Sequence, residues 1–130
     1  KFIDLLNIFY EDKHKIDIFF NVLGIFINTG TLIISPTLSA ELFDFHNSHH
    51  NYFKLFNDNE NSLYLPGRWN PHCTIASRLN EDSMVQAFRH CKNNTINTHS
   101  KLNEVSLIQI KVNENGMAVE DSVIFSKELK

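Results

Sequence analysis

Between Ile16 and Pro36 the chain has few ways to fold. Ile16-Asp17-Ile18-Phe19-Phe20-Asn21-Val22-Leu23-Gly24-Ile25-Phe26-Ile27 is dense in β-branched and aromatic side chains, which favour a pleated sheet. Asn28-Thr29-Gly30 follows as a turn signal. Thr31-Leu32-Ile33-Ile34-Ser35 then returns as far as Pro36, which has no N–H to offer a central ladder. The segment predicts strand, turn, strand. Its apolar run is broken by Asp17, Asn21 and Gly24 and falls short of the ~20 residues a bilayer-spanning helix requires, so no membrane segment is expected.

The rest of the chain organises around this hairpin. Phe2, Leu5, Leu6 and Phe9 recur at helical spacing from Lys1 to about His14 and predict an amphipathic helix without a side-chain cap. After Pro36, Thr37 or Ser39 can cap a helix that runs to about Phe56, where Asn57-Asp58-Asn59-Glu60-Asn61 breaks the pattern. Its apolar stripe holds Leu38, Leu42, Phe45, Tyr52, Phe53 and Phe56, with His49 inside the stripe. A loop with Pro66-Gly67 leads to a short strand, His72 to Ala76. Asn80 then caps a helix over Glu81 to Lys92 that buries Met84, Ala87, Phe88 and Cys91. Beyond a polar loop, Glu104 to Val112, the turn Asn113-Glu114-Asn115-Gly116, and Val119 to Phe125 read as a hairpin. The order helix, strand, turn, strand thus occurs twice, separated by the long helix. The second copy is preceded by the strand His72 to Ala76 and the first by nothing.

With 130 residues the chain suits one domain, residues 1–130, and 42% apolar residues including eleven Phe are enough for a folded core. Twelve basic against fifteen acidic side chains leave a net charge of −3, which excludes a broad cationic surface for duplex DNA or anionic lipid. The first residues carry an acid, Asp4, within their apolar run and lack a small-residue cleavage pattern, so a secretory leader is not expected and a cytoplasmic setting is. Cys73 and Cys91 have neither metal-ligand nor disulfide-framework spacing and are expected to be buried thiols.

Chemistry concentrates on the strand after the Pro66-Gly67 loop. Alternation places His72 and Thr74 on one face and Cys73 and Ile75 on the other, so one side is expected to be polar and the other core. An imidazole two positions from a hydroxyl can exchange a proton with a reacting oxygen while the hydroxyl holds a phosphate oxygen. Histidine suits the first task because its ordinary pKa, ~6.5, keeps both protonation states accessible near neutrality.

Arg68-Trp69-Asn70-Pro71-His72-Cys73-Thr74-Ile75-Ala76 resembles the second signature of the two-histidine phosphoesterases, the 2′-5′ RNA ligase superfamily, chiefly through Trp-x-Pro-His-x-Thr. Gly24-Ile25-Phe26 before the turn, the strand into Ser35-Pro36-Thr37, and Glu41-Leu42 through His46 are also similar to its bacterial members. The resemblance implies an α+β, bilobal fold with antiparallel sheets flanked by helices. Each lobe would contribute a strand-borne His-x-Thr/Ser to a central cleft. It further implies metal-independent catalysis without a cofactor: one histidine as general base, the other as general acid, and the hydroxyls on the phosphate of a 2′,5′ linkage or a 2′,3′-cyclic phosphate. Only His72 and Thr74 match such a motif here. His46-Asn47-Ser48 has the letters H-x-S but lies in a helical pattern, where positions two apart diverge by about 200°. The first strand and its His-x-Thr/Ser are therefore expected upstream of Lys1, the chain being truncated at its amino end.

Around the motif, Trp69 and Tyr64 can stack a base and Arg68 can neutralise a phosphate, with Arg78 on the far side of the strand; core packing competes for Trp69. Asp44, His46, His49 and His50 form the densest ligand-type cluster, and His46 with His50 is an i,i+4 pair. On helical angles, however, the three imidazoles do not converge on a metal. The Asn-rich stretches Asn57 to Asn61 and Asn93 to Asn97 read as exposed loops. Three functions are thus in competition. The first is a phosphodiesterase or RNA-ligase-like enzyme acting on an RNA end or small nucleotide; the second is a non-catalytic nucleotide- or RNA-binding module with the same cleft; the third is a metal-dependent protein built on the His46 to His50 helix.

Overall fold

A computed structural model describes residues 1–94 and 98–130. The elements run α1 (Phe2–Tyr10), β1 (Ile16–Phe26), β2 (Thr31–Pro36), α2 (Ala40–Tyr52), a 3-10 turn (Lys54–Phe56), β3 (Cys73–Ala76), α3 (Glu81–Asn94), β4 (Thr98–Leu102), β5 (Glu104–Val112) and β6 (Ala118–Glu128). The fold is α+β. One sheet has the order β3-β2-β1-β4, with antiparallel pairing of β1 to β2 and of β2 to β3, and β5 and β6 pair antiparallel in a second. Among the described residues no helix is long and apolar enough to cross a membrane.

The chain divides into two compact units, residues 1–17 with 101–130, and residues 18–100. In the first, α1 packs on β6, burying Leu6 and Tyr10 together with Ile16 and Leu129. Burial pushes the Tyr10 phenol up to about 12. Lys127 Nζ donates to Asn7 Oδ1 at 2.8 Å, tying β6 to α1. The backbone of Lys130 donates to the Lys13 carbonyl and accepts from the Lys15 N–H, so the last residue spans the α1–β1 connection. The Lys130 side chain hydrogen-bonds Asp12, which holds the carboxyl below and the ammonium above their ordinary ranges. Both groups are exposed, and water screens most of that attraction.

The second unit is built on the anticipated hairpin. Ile18 of β1 and Leu32 and Ile33 of β2 are buried, Leu32 completely, and Leu42, Phe53 and Met84 complete the core from the helical side. Gly30 closes the turn at φ +61, and a Cβ there would sit 2.4 Å from the Leu79 carbonyl oxygen. The Leu79 N–H donates to the Gly30 carbonyl at 3.0 Å. Glycine therefore answers two demands at this position, a left-handed backbone and a close approach. The Ser39 hydroxyl caps α2 by accepting from the Leu42 N–H at 3.1 Å.

Several local expectations differ from the structure. α1 stops at Tyr10 rather than near His14, and α2 at Tyr52, followed by the 3-10 turn. On the expected apolar stripe, Tyr52 is exposed, as are Leu38 and Phe56, which fall outside α2, and Phe88 on α3 is exposed as well. The polar segment after α3 contains a strand, β4, which interrupts the repeated element order. It was illegible because Thr98-His99-Ser100-Lys101-Leu102 lacks an apolar alternation; pairing at the sheet edge supplies what side-chain burial does not. Of the expected Asn93 to Asn97 loop, residues 93–94 belong to α3 and 95–97 lie outside the described residues.

Candidate functional site

The site is built where β3 begins. Ser35 Oγ, on β2, donates to the Pro71 carbonyl at 2.8 Å and so fixes the backbone one residue before His72. Antiparallel pairing of Ile33 with Thr74 and Ile34 with Cys73 continues the alignment. At the other end of β3, the Leu79–Gly30 contact holds the strand's exit against the hairpin turn. β3 is short, and its place in the sheet is set by these flanking bonds as much as by its own ladder.

The connection from α2 to β3 is locally determined. Asn57 and Asn59 side chains accept from the backbone N–H groups two residues on, forming successive Asx turns. Leu65-Pro66-Gly67-Arg68 closes with an Arg68 N–H bond to the Leu65 carbonyl at 2.9 Å, and Gly67 takes φ +86. Proline second and a positive-φ glycine third is the pattern of a type II turn. The turn delivers Arg68 and Trp69 beside the start of β3.

His72 and Thr74 line one open cavity of about 530 Å³ together with Arg68, Trp69, Tyr64 and Asn70, and with Phe26, Thr29 and Thr31 from the hairpin. β3 starts at Cys73 rather than at the expected His72, so His72 sits just before the strand while Thr74 lies on it, and both line the cavity. The opposite face is not core: Cys73 is exposed and Ile75 is 44% exposed, because β3 is the edge strand of the sheet. Cys91 is only partly covered. The expected pair of buried thiols is thereby corrected.

The His72 ring is held on two sides. Its Nδ1 lies 2.6 Å from the Asn70 carbonyl oxygen. A carbonyl can only accept, so Nδ1 carries the hydrogen and Nε2 is the ring nitrogen left for chemistry. Phe26 packs edge-on against the imidazole, with centroids 4.7 Å apart and planes at 88°. Neither partner is legible as a site residue in the sequence. Every residue at position 70 has a carbonyl, and Phe26 reaches the ring only through the order of the strands.

Trp69 is half-buried and stacked on His46, with centroids 3.8 Å apart and planes at 10°. One indole face is therefore occupied by α2, and Trp69 acts as a wall of the cavity. Tyr64 is largely exposed at its rim. Arg78 does not line the cavity; it lies at positive φ in the segment after β3.

The histidines of α2 come together more closely than helical angles suggest. His46 and His50 have centroids 4.6 Å apart and His49 and His50 5.5 Å, while His49 also packs against Phe53 at 4.8 Å. Burial pushes all three imidazoles toward the neutral form, His49 to about 4, and the charge of His50 adds to the shift at His46 and His49. Hydrogen bonding with the Tyr64 backbone partly opposes this at His46 and His50. Among the described residues no group of three or more His, Cys, Asp or Glu side chains is arranged to hold a metal ion. No protein-family model matches this chain, and no curated protein matches it.

Proposed function

We propose that this chain is a phosphoesterase- or RNA-ligase-like protein of the two-histidine kind, acting on 2′,5′-linked or 2′,3′-cyclic phosphates of RNA or small nucleotides. The observation that carries the reading is the side-by-side presentation of His72 and Thr74 in one cavity, with Nδ1 engaged by a carbonyl and Nε2 left over. The Trp-x-Pro-His-x-Thr resemblance supports it, as does the division of an α+β chain into two compact units, which suits a bilobal fold. Arg68 at the cavity supplies a positive charge for a phosphate, and Tyr64 an aromatic face for a base.

In this reading the neutral His72 accepts a proton at Nε2 from an attacking water or hydroxyl, or the charged ring returns one from Nε2 to the departing ribose oxygen. Thr74 Oγ1 donates to a non-bridging phosphate oxygen. Each step moves one proton and needs no metal. The test is turnover of a 2′,3′-cyclic nucleotide by the purified protein and by its His72→Ala variant. Loss of a proton-transfer group is expected to lower the rate by ~10²–10⁴-fold. Thermal unfolding should stay nearly unchanged, since His72 is not part of the core. Retained turnover in the variant refutes the assignment.

A second reading, a nucleotide- or RNA-binding module without catalysis, is favoured by one specific observation: His72 is the only histidine among the described residues that line the cavity. Saturable nucleotide binding by a protein that never releases product selects this reading over the first.

A further inference from the structure

Beside the His72 cavity, a second opening of about 430 Å³ lies against α3. Met84 is its buried member, while Ile25 of β1 and Val85 and Phe88 of α3 leave apolar surface open to solvent. Val85, Phe88, Arg89 and Lys92 stand at i, i+3, i+4 and i+7, so they share one stripe of the helix about 100° wide. Half of that stripe is apolar and half cationic. Among the described residues no acidic side chain lines the opening.

Two neighbouring cations without a counter-charge run against the balance of a chain with twelve basic and fifteen acidic side chains. Among the described residues neither Arg89 nor Lys92 belongs to an ion pair. Within α3 the positions three and four residues from them hold Val85, Gln86, Phe88, Asn93 and the two cations themselves, so the helix supplies no acid to either. The helix dipole favours a cation in the last turn, which accounts for Lys92 alone. It accounts neither for Arg89 nor for a Phe88 ring left open beside both.

We propose that this opening is a subsite for one nucleotide of a single-stranded RNA, upstream of the nucleotide whose phosphate lies at His72, with Phe88 stacking the base and Arg89 and Lys92 taking the phosphates.

A nucleotide joins a flat base to an anionic linkage, and α3 offers the two matching surfaces side by side. The volume suits such an occupant, since small-ligand sites run from roughly 300 to 1,000 Å³. An acidic amphipathic helix would match the charges as well, but it is about 10–12 Å across and needs a long apolar trough. Here a single residue of β1 faces α3. That residue, Ile25, also lines the cavity of His72 and Thr74, so the two openings adjoin at one point of β1 within the same compact unit. A strand with its terminal phosphate at His72 thus finds a place for the portion that precedes it. The direction of the strand rests on the phosphoesterase reading; the attraction of α3 for RNA does not.

The test compares a short single-stranded RNA, labelled at its 5′ end and ending in a 2′,3′-cyclic phosphate, with a 2′,3′-cyclic mononucleotide. Anisotropy measures the first and calorimetry the second, on the parent protein, on Arg89→Gln with Lys92→Gln, and on Phe88→Ala. All three side chains are exposed, so both variants should keep the parent's far-UV circular dichroism. The RNA is expected to bind the parent about tenfold more tightly than the mononucleotide or better. The double variant should lose most of that advantage and lower the slope of log affinity against log salt by about 1.4, at ~0.7 for each phosphate contact on a single strand. Phe88→Ala should weaken RNA binding on the order of tenfold, the worth of a stacked base. Mononucleotide binding should be unchanged in both.

Equal affinity of the parent for RNA and mononucleotide overturns the proposal, as does full RNA affinity in the double variant. Binding of an acidic peptide at these residues with no RNA bound overturns it too, and assigns the opening to a protein partner. An RNA ending in a 3′-hydroxyl separates this proposal from the phosphoesterase reading, because its affinity should fall in the α3 variants whether or not His72 turns over a cyclic phosphate. If His72→Ala retains turnover while the α3 variants lose RNA, the phosphoesterase reading fails and the subsite stands.

Discussion

His72 and Thr74 differ in how much of their environment is local. For Thr74 its place on β3 is almost sufficient: the strand, paired to Ile33, presents it to the cavity that His72, one residue before the strand, also lines. For His72 the tautomer depends on the Asn70 carbonyl and the ring orientation on Phe26, a residue of another strand. The two side chains therefore make different predictions. Thr74→Val keeps the shape and removes the hydroxyl. If Oγ1 donates to a phosphate, binding of a cyclic nucleotide should weaken by about 1.5–3 kcal/mol, the worth of a hydrogen bond to a charged group. Titration calorimetry on both proteins measures this, and equal affinities would remove Thr74 from the phosphate. Trp69 carries the reverse lesson. Its indole offers the same chemistry in any sequence, yet His46 occupies one face and turns a candidate stacking platform into a wall.

Among the elements, the β1–β2 hairpin does most to position the site. Its turn receives the segment after β3 through the Leu79–Gly30 hydrogen bond, and β2 holds the segment before β3 through Ser35 and Pro71. Gly30→Ala tests this arrangement. The substitution forces a side chain into a left-handed conformation and against the Leu79 carbonyl, so a loss of roughly 1–3 kcal/mol of stability is expected by denaturant unfolding. Cyclic-nucleotide binding should weaken in the same variant, because β3 loses an anchor. Full affinity alongside reduced stability would show that the turn does not position the site. β3 itself is an edge strand, which explains why Cys73 and Ile75 are open to solvent although their letters read as core.

For the whole molecule, each of the two compact units carries its own small core, and the histidine cluster belongs to the second. His49 links that core to pH. Burial holds its folded value at about 4, below the ~6.5 of an unfolded histidine. Between those values the unfolded chain binds more protons than the folded one. This contribution to stability is therefore complete above ~6.5 and declines as pH falls toward about 4. Thermal unfolding at a series of pH values should show the midpoint falling across that window, and His49→Phe should flatten the decline. An equally steep decline in the variant would assign it to other groups.

What the amino-acid order settles is whatever one strand or one turn of helix can enforce on its own. The Ile16 to Pro36 hairpin, the Ser39 cap, the Leu65 to Arg68 turn and the strand that carries Thr74 all follow from alternation, periodicity and backbone preference within a few residues. β4, the exposure of Cys73, the seat of Trp69 on His46 and the Phe26 contact do not, because each depends on which strand or helix comes to lie alongside. Hydrogen-bond pairing at a sheet edge and the packing of rings from distant elements are properties of neighbours in space, and a linear order of residues specifies those neighbours only once the chain has folded.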